Sequence, residues 1–188
     1  AIGSIADLVP LRDENRIIVD KGLKKIASGK TSPGICAMLS VCKVQHENVS
    51  SDTIAFSIAP RLNASGRLYS ASHSVELLLT NDCKKAEEIA ISLDTENTER
   101  RLTEQKIFND ALDIIEKDVN FDKKRVIVLS KENWHQGVIG IVASRICERF
   151  YKPTIMITTE AQKGKGSGRS IPSFNLFEAL SDSSEFLT

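Results

Sequence analysis

No stretch of this 188-residue chain approaches the roughly 18 consecutive apolar residues that a membrane-crossing helix needs. The opening residues lack the basic region, apolar core and small-residue cleavage site of a secretion signal. Net charge is missing too: 25 Lys and Arg balance 25 Asp and Glu, so bulk charge points neither to nucleic acid nor to a membrane. The four cysteines (Cys36, Cys42, Cys83 and Cys147) form no CxxC pair and lie near no His cluster. That argues against zinc; Cys36 and Cys42, in or beside the apolar run Ile35–Leu39, read as buried thiols, and a reducing cytoplasm fits the set. Internal repeats and low-complexity tracts are also lacking, and Asp82 to Lys117 contains neither Gly nor Pro. The 41% of apolar residues still suffices for a packed core.

The zero balance hides a division. Residues 1–67 carry a surplus of +3, residues 68–117 a deficit of −5, and residues 118–188 a surplus of +2. Two mildly basic segments flanking an acidic middle suggest two lobes. The break-free segment reads as one long helix, on the order of 50 Å by its rise per residue. Its ends are amphipathic and its centre is polar all round apart from Leu102, as suits a bridge between two bodies. Ahead of it, Ala1–Ala6 reads as the end of a buried strand. Asn15–Ala27 and the run Ile35, Met38, Leu39, Cys42 read as helices. Ser50, Ser51 or Asp52 would cap a short helix that runs through Phe56 and is limited by Pro60. Beyond the bridge, Arg125–Ser130 reads as a buried strand, Gly137–Arg149 as a helix and Thr154–Thr159 as a second strand. This βαβ unit implies a parallel pair. Gly164–Ser170 then reads as a glycine-rich hairpin or sheet edge, and Phe174–Leu180 begins another helix.

Four places could carry chemistry. Asp7, just past the first apolar run, either ligates a hard divalent cation or caps a turn. Pro60–Arg67 reads as a loop bearing Arg61, Asn63 and Arg67, which either receives phosphate oxygens or is merely solvated. Trp134-His135-Gln136-Gly137 opens a helix, a position that attracts anions; His135 either donates to a phosphate, moves a proton, or helps to cap the core. Lys163–Ser170 is the most basic stretch, with Lys165, Ser167, Arg169 and Ser170 as donors among alternating glycines. It has neither the Walker order nor a dinucleotide fingerprint, so a solvated hairpin is its alternative. His46 and His73 read as surface or capping residues.

Four segments, taken in order, resemble the C-terminal half of the catalytic core of the RecJ family, single-strand-specific 5′→3′ DNA exonucleases of the DHH/DHHA1 phosphoesterase superfamily. They are Gly3-Ser-Ile-Ala-Asp-Leu-Val-Pro-Leu11, Ala59-Pro-Arg-Leu-Asn-Ala-Ser-Gly-Arg67, Trp134-His-Gln-Gly-Val-Ile-Gly-Ile-Val-Ala-Ser-Arg145 and Gly166-Ser-Gly-Arg-Ser170. The resemblance implies an α/β fold: a helical remnant of a DHH domain (residues 1–70), long connector helices (71–118), and a partial DHHA1 domain with a small mixed sheet (119–188). It implies that Asp7 is the last carboxylate of a two-metal Mn²⁺ or Mg²⁺ site. It also implies that Asn63 and Arg67 line the cleft, and that His135, Ser167, Arg169 and Ser170 hold single-stranded DNA. It suggests roles in DNA repair and recombination, with a helicase and a single-strand-binding protein as partners.

The Asp-His-His motif and the upstream metal carboxylates of the family occur nowhere in the sequence, nor does a Gly-Gly-His segment, so the chain reads as cut at both ends. One carboxylate cannot hold two metals, and the isolated polypeptide is therefore expected to lack nuclease activity. The truncated first part should expose apolar surface, with oligomerisation as a consequence. Two competing functions remain: a DHH/DHHA1 phosphodiesterase for oligonucleotides or cyclic dinucleotides, and a noncatalytic nucleic-acid-binding module.

Overall fold

The structure, a computed structural model, describes residues 1–160 and 163–186. The chain forms two compact units, Ala1–Arg100 and Arg101–Thr188.

The first unit is helical. It comprises α1 (Ile2–Ala6), α2 (Asp13–Ala27), α3 (Pro33–Val41), the single turn α4 (Ser51–Thr53), a π-helical turn (Ile54–Ile58), α5 (Ala59–Leu68), α6 (Ser72–Leu79) and the N-terminal part of α7 (Cys83–Glu116). Its core gathers Ile5, Val19, Ile26, Ile35, Met38, Leu39, Ile54, Ile58, Leu77, Ala90 and Leu93. Gly34 is what lets α3 and α6 meet: a Cβ there would stand only 2.8 Å from the carbonyl carbon of Leu77 and closer still to its oxygen.

Two expectations fail here. The opening residues are a helix, not a strand end: the first unit has no strand among its described residues to pair with. Helical spacing instead puts Ile2 and Ile5 on one face, where Ile5 is buried and Ile2 packs at the edge of the core. Nor is Pro60–Arg67 a loop. Ser50 and Thr53 form a reciprocal capping box, and the helical path continues through the π turn into α5 with Pro60 in its first turn. An amide missing from a first turn deprives the helix of little, and the wider preceding turn relieves the ring's clash with the carbonyl behind it.

The second unit holds the C-terminal part of α7, β1 (Ile127–Glu132), α8 (Gln136–Phe150), β2 (Thr154–Glu160), β3 (Lys163–Arg169) and α9 (Leu176–Asp182). The sheet order is β1-β2-β3, with β1 and β2 parallel and β2 and β3 antiparallel. The expected βαβ unit is thus present, and the glycine-rich stretch is the sheet's third strand. On one face, buried Ile127, Leu129, Met156 and Thr154 meet the apolar side of α8: Val138, Ile139, Val142 and Ile146. The long helix α7 runs unbroken for 34 residues. It buries Ala86, Ala90 and Leu93 near one end and Ile107, Phe108, Ala111 and Ile115 near the other, while Leu102 is 68% exposed. Among the described residues, no helix is long and apolar enough to cross a membrane.

Candidate functional site

Alternation along β3 sorts the side chains by face. Lys165, Ser167 and Arg169 pair in register with Thr158, Met156 and Thr154, the face on which α8 lies. Gly164, Gly166 and Gly168 turn to the opposite face, against Ile155 and Ile157, with Leu176 of α9 over Gly168. The glycine repeat therefore leaves one polar row, Lys163, Lys165, Ser167 and Arg169, on the helix side.

Two members of that row are tied to α8. Lys165 Nζ donates to Gln136 Oε1 at 2.8 Å, and Arg169 Nε donates to Ser144 Oγ at 3.0 Å. Between them, Ser167 lies against Gly140, where a Cβ would stand 2.9 Å from Ser167 Oγ. Two residues of strand advance about 6.7 Å, and four residues of helix about 6 Å. Positions 136, 140 and 144 therefore keep step with 165, 167 and 169.

His135 is the N-cap of α8. Its Nδ1 accepts the Gly137 amide proton at 3.2 Å, so in the neutral ring the proton sits on Nε2, which is left as a donor. Asn133 turns the chain from β1 into the helix with φ 63°, a left-handed conformation that Asn tolerates better than most residues. Trp134 is buried, and its indole N–H donates to Asp110 Oδ2 on α7 at 3.2 Å; Lys131 Nζ reaches the same oxygen at 2.9 Å. A cavity of about 660 Å³ at this end of the sheet is lined by Asn133, Trp134, His135, Gln136, Thr158, Glu160, Lys163 and Lys165. It lies beyond the C-terminal ends of the parallel strands, where open α/β sheets take their ligands. Arg145 anchors α8 to α7 through Glu104 Oε1 at 2.9 Å and through its guanidinium 3.9 Å above the Phe108 ring.

Lys131, assisted by the Trp134 indole against the opposing cost of burial, holds the Asp110 carboxyl below its ordinary range. The stabilisation is then fully present above the unfolded carboxyl value near 4 and fades as pH falls through the lowered folded value. Urea midpoints of the wild type and Asp110→Asn should therefore differ at pH 7 and converge on acidification. A difference independent of pH would refute the linkage.

In the first unit, Asp7 caps the C-terminus of α1 with its carboxylate exposed, and its own amide bonds the Gly3 carbonyl. Asn63 and Arg67 stand four apart on α5 and so share an exposed face of that helix. Arg61 departs from the expectation. Its Nε donates to Asp94 and its Nη1 to the Ser57 carbonyl, both at 2.8 Å, which ties α5 to α7 and commits the guanidinium to structure. Among the described residues, no group of three or more His, Cys, Asp and Glu is arranged to hold a metal ion. Asp7 alone does not fit a two-metal centre. In the second unit, Ser167 and Arg169 share one face, whereas Ser170 lies past the strand and donates to the Phe174 carbonyl at 2.7 Å. Gln136, Gly140, Ser144 and Asp110 were not singled out from the sequence. The four-residue spacing of the first three on one helix was the available signal.

A small mixed sheet with one crossover helix, edged by a glycine-and-cation strand, corresponds to a known domain class: residues 123–187 match the DHHA1 domain family. Nearly the whole chain is similar to single-stranded-DNA-specific exonucleases RecJ. It is 40% identical to that of Bacillus subtilis over 100% of this chain and 24% of the relative. It is 39% identical to that of Escherichia coli over 96% and 32%. The chain thus spans about a quarter to a third of these relatives' length. Among solved structures, RecJ from Thermus thermophilus in complex with Mg²⁺ superposes with a TM-score of 0.85 at 32% identity, covering 98% of this chain and 28% of that one. An exonuclease RecJ bound to manganese gives 0.80 at 32% identity, covering 96% and 43%.

Proposed function

We propose that this chain is the substrate-holding portion of a RecJ-type single-strand-specific 5′→3′ DNA exonuclease, and that the β3–α8 face grips the phosphodiester backbone. The observation that carries the reading is the row Lys165, Ser167, Arg169, with His135 beside it. These are two permanent cations, a hydroxyl and an imidazole N–H, all donors, held on regular elements. Such a set suits an anionic backbone and does not read bases, as an enzyme that degrades any sequence requires. Ser170 is the further proposed contact of the second unit; in the first unit, Asn63 and Arg67 are proposed substrate contacts and Asp7 one ligand of divalent metals, Mn²⁺ or Mg²⁺, in the complete protein. Residues 1–70 are the proposed DHH part, 71–118 the connector and 119–188 the DHHA1 part. DNA repair and recombination in the cytoplasm, alongside a helicase and a single-strand-binding protein, is the corresponding cellular setting.

Since the described residues do not assemble a metal centre, this chain's own contribution is binding rather than bond cleavage. Lys165 and Arg169 neutralise the backbone, and the His135 N–H helps to orient it. The purified chain should bind 5′-labelled single strands and leave them intact in manganese. Degradation that Asp7→Ala abolishes would contradict this, and stronger binding of dinucleotides than of long single strands would favour an oligonucleotide phosphodiesterase instead.

A further inference from the structure

The Ser144 hydroxyl has one proton, and it donates it to the Gly140 carbonyl at 3.2 Å, one helical turn back. Its lone pairs are thereby left to Arg169 Nε, which can only donate. The Arg169 Nη1 is taken up on its own strand, by the Gly168 carbonyl at 2.7 Å and, at the long distance of 3.4 Å, by Ser167 Oγ. Among the described residues Nη2 has no hydrogen-bond partner, and it lies where a Cβ at Gly140 would come within 3.3 Å. The guanidinium plane is thus fixed on two sides, with the N–H pair of Nη2 left over. A free arginine on an edge strand samples many rotamers, and stilling it on binding costs conformational entropy that an arginine fixed beforehand does not lose.

We propose that Ser144 is a positioning residue. Through its hydroxyl it locks Arg169 in advance, so that Nη2 is presented to a phosphate oxygen of the bound strand, and Gly140 supplies the space in which the lock fits. The proposal rests on the reading of this face as a backbone-phosphate site. It makes Ser144, which need not touch the DNA, a determinant of affinity.

The test joins two measurements on the full 188-residue chain. In ¹⁵N-arginine NMR without DNA, Ser144→Ala should collapse or shift the Arg169 Nε–H signal, assigned by its loss in Arg169→Ala, while Ser144→Thr retains it. In binding to a fluorescent oligothymidine, Ser144→Ala should weaken affinity about three- to tenfold and Ser144→Thr should restore it. Adding Ser144→Ala to Arg169→Ala should bring no further loss, since the two residues act as one. An unchanged Nε–H signal in Ser144→Ala, or losses that multiply in the double variant, would overturn the proposal. If the Nε–H signal is lost in Ser144→Ala yet Arg169→Ala binds DNA as the wild type does, the lock stands and the phosphate reading falls.

Discussion

Replacing Gly34 by alanine should cost the first unit about 3 kcal/mol or more, at the upper end of overpacking penalties. A methyl group there would meet the Leu77 backbone, which cannot rotate away as a side-chain tip can, besides Leu77 Cγ at 3.1 Å. Relief requires α3 and α6 to separate, and their contact buries Ile35, Met38, Leu39 and Leu77. The loss is measurable as a lower urea midpoint in the helical circular dichroism. Fluorescence of the single tryptophan, Trp134 in the second unit, should move less. Gly3→Ala is the control: nothing lies within 4 Å of a Cβ at that exposed helical position, so it should be neutral or slightly stabilising. A Gly34→Ala midpoint indistinguishable from that of Gly3→Ala would contradict the packing described.

The second large effect falls on binding. Removing a guanidinium that meets a phosphate forfeits a hydrogen bond between charged groups, about 1.5–3 kcal/mol. Arg169→Ala should therefore weaken single-stranded DNA binding tenfold or more. Arg169→Lys should recover only part of it. An ammonium keeps the charge but cannot bond Ser144 and the Gly168 carbonyl along one plane while offering a further edge. Titration with a labelled oligothymidine at fixed salt distinguishes these outcomes; full recovery in Arg169→Lys would show that charge alone matters.

Much of the second unit could be read along the chain because its elements are contiguous and patterned. Val126–Leu129 and Ile155–Ile157 are short β-branched runs on either side of a helical period, and right-handed crossover then leaves little choice but a parallel pair. The first unit was harder to read where local signals compete. Ile2–Ala6 is too short for its periodicity to separate strand from helix, and the absence of a pairing partner decides it. Pro60 is a strong stop signal, yet a π turn before it leaves room for the ring. The site divides in the same way. Lys165 and Arg169 stand out by composition and His135 by its place at a helix start. Arg61 looked equivalent to Arg67 until Asp94, 33 residues on, claimed it. Ser144 and Gly140 become meaningful only once α8 lies in register with β3, a relation between segments 25 residues or more apart.

The central claim, that β3 and α8 hold a phosphate backbone, is tested most directly by the salt dependence of single-strand binding. Each phosphate contact on a single strand contributes about 0.7 to the slope of log affinity against log salt. Oligothymidine affinity of the 188-residue chain should fall with salt. Arg169→Ala should flatten the slope by about 0.7, and Lys165→Ala together with Arg169→Ala by about 1.4. A slope that both substitutions leave unchanged would show that the nucleic acid, if held at all, is held elsewhere.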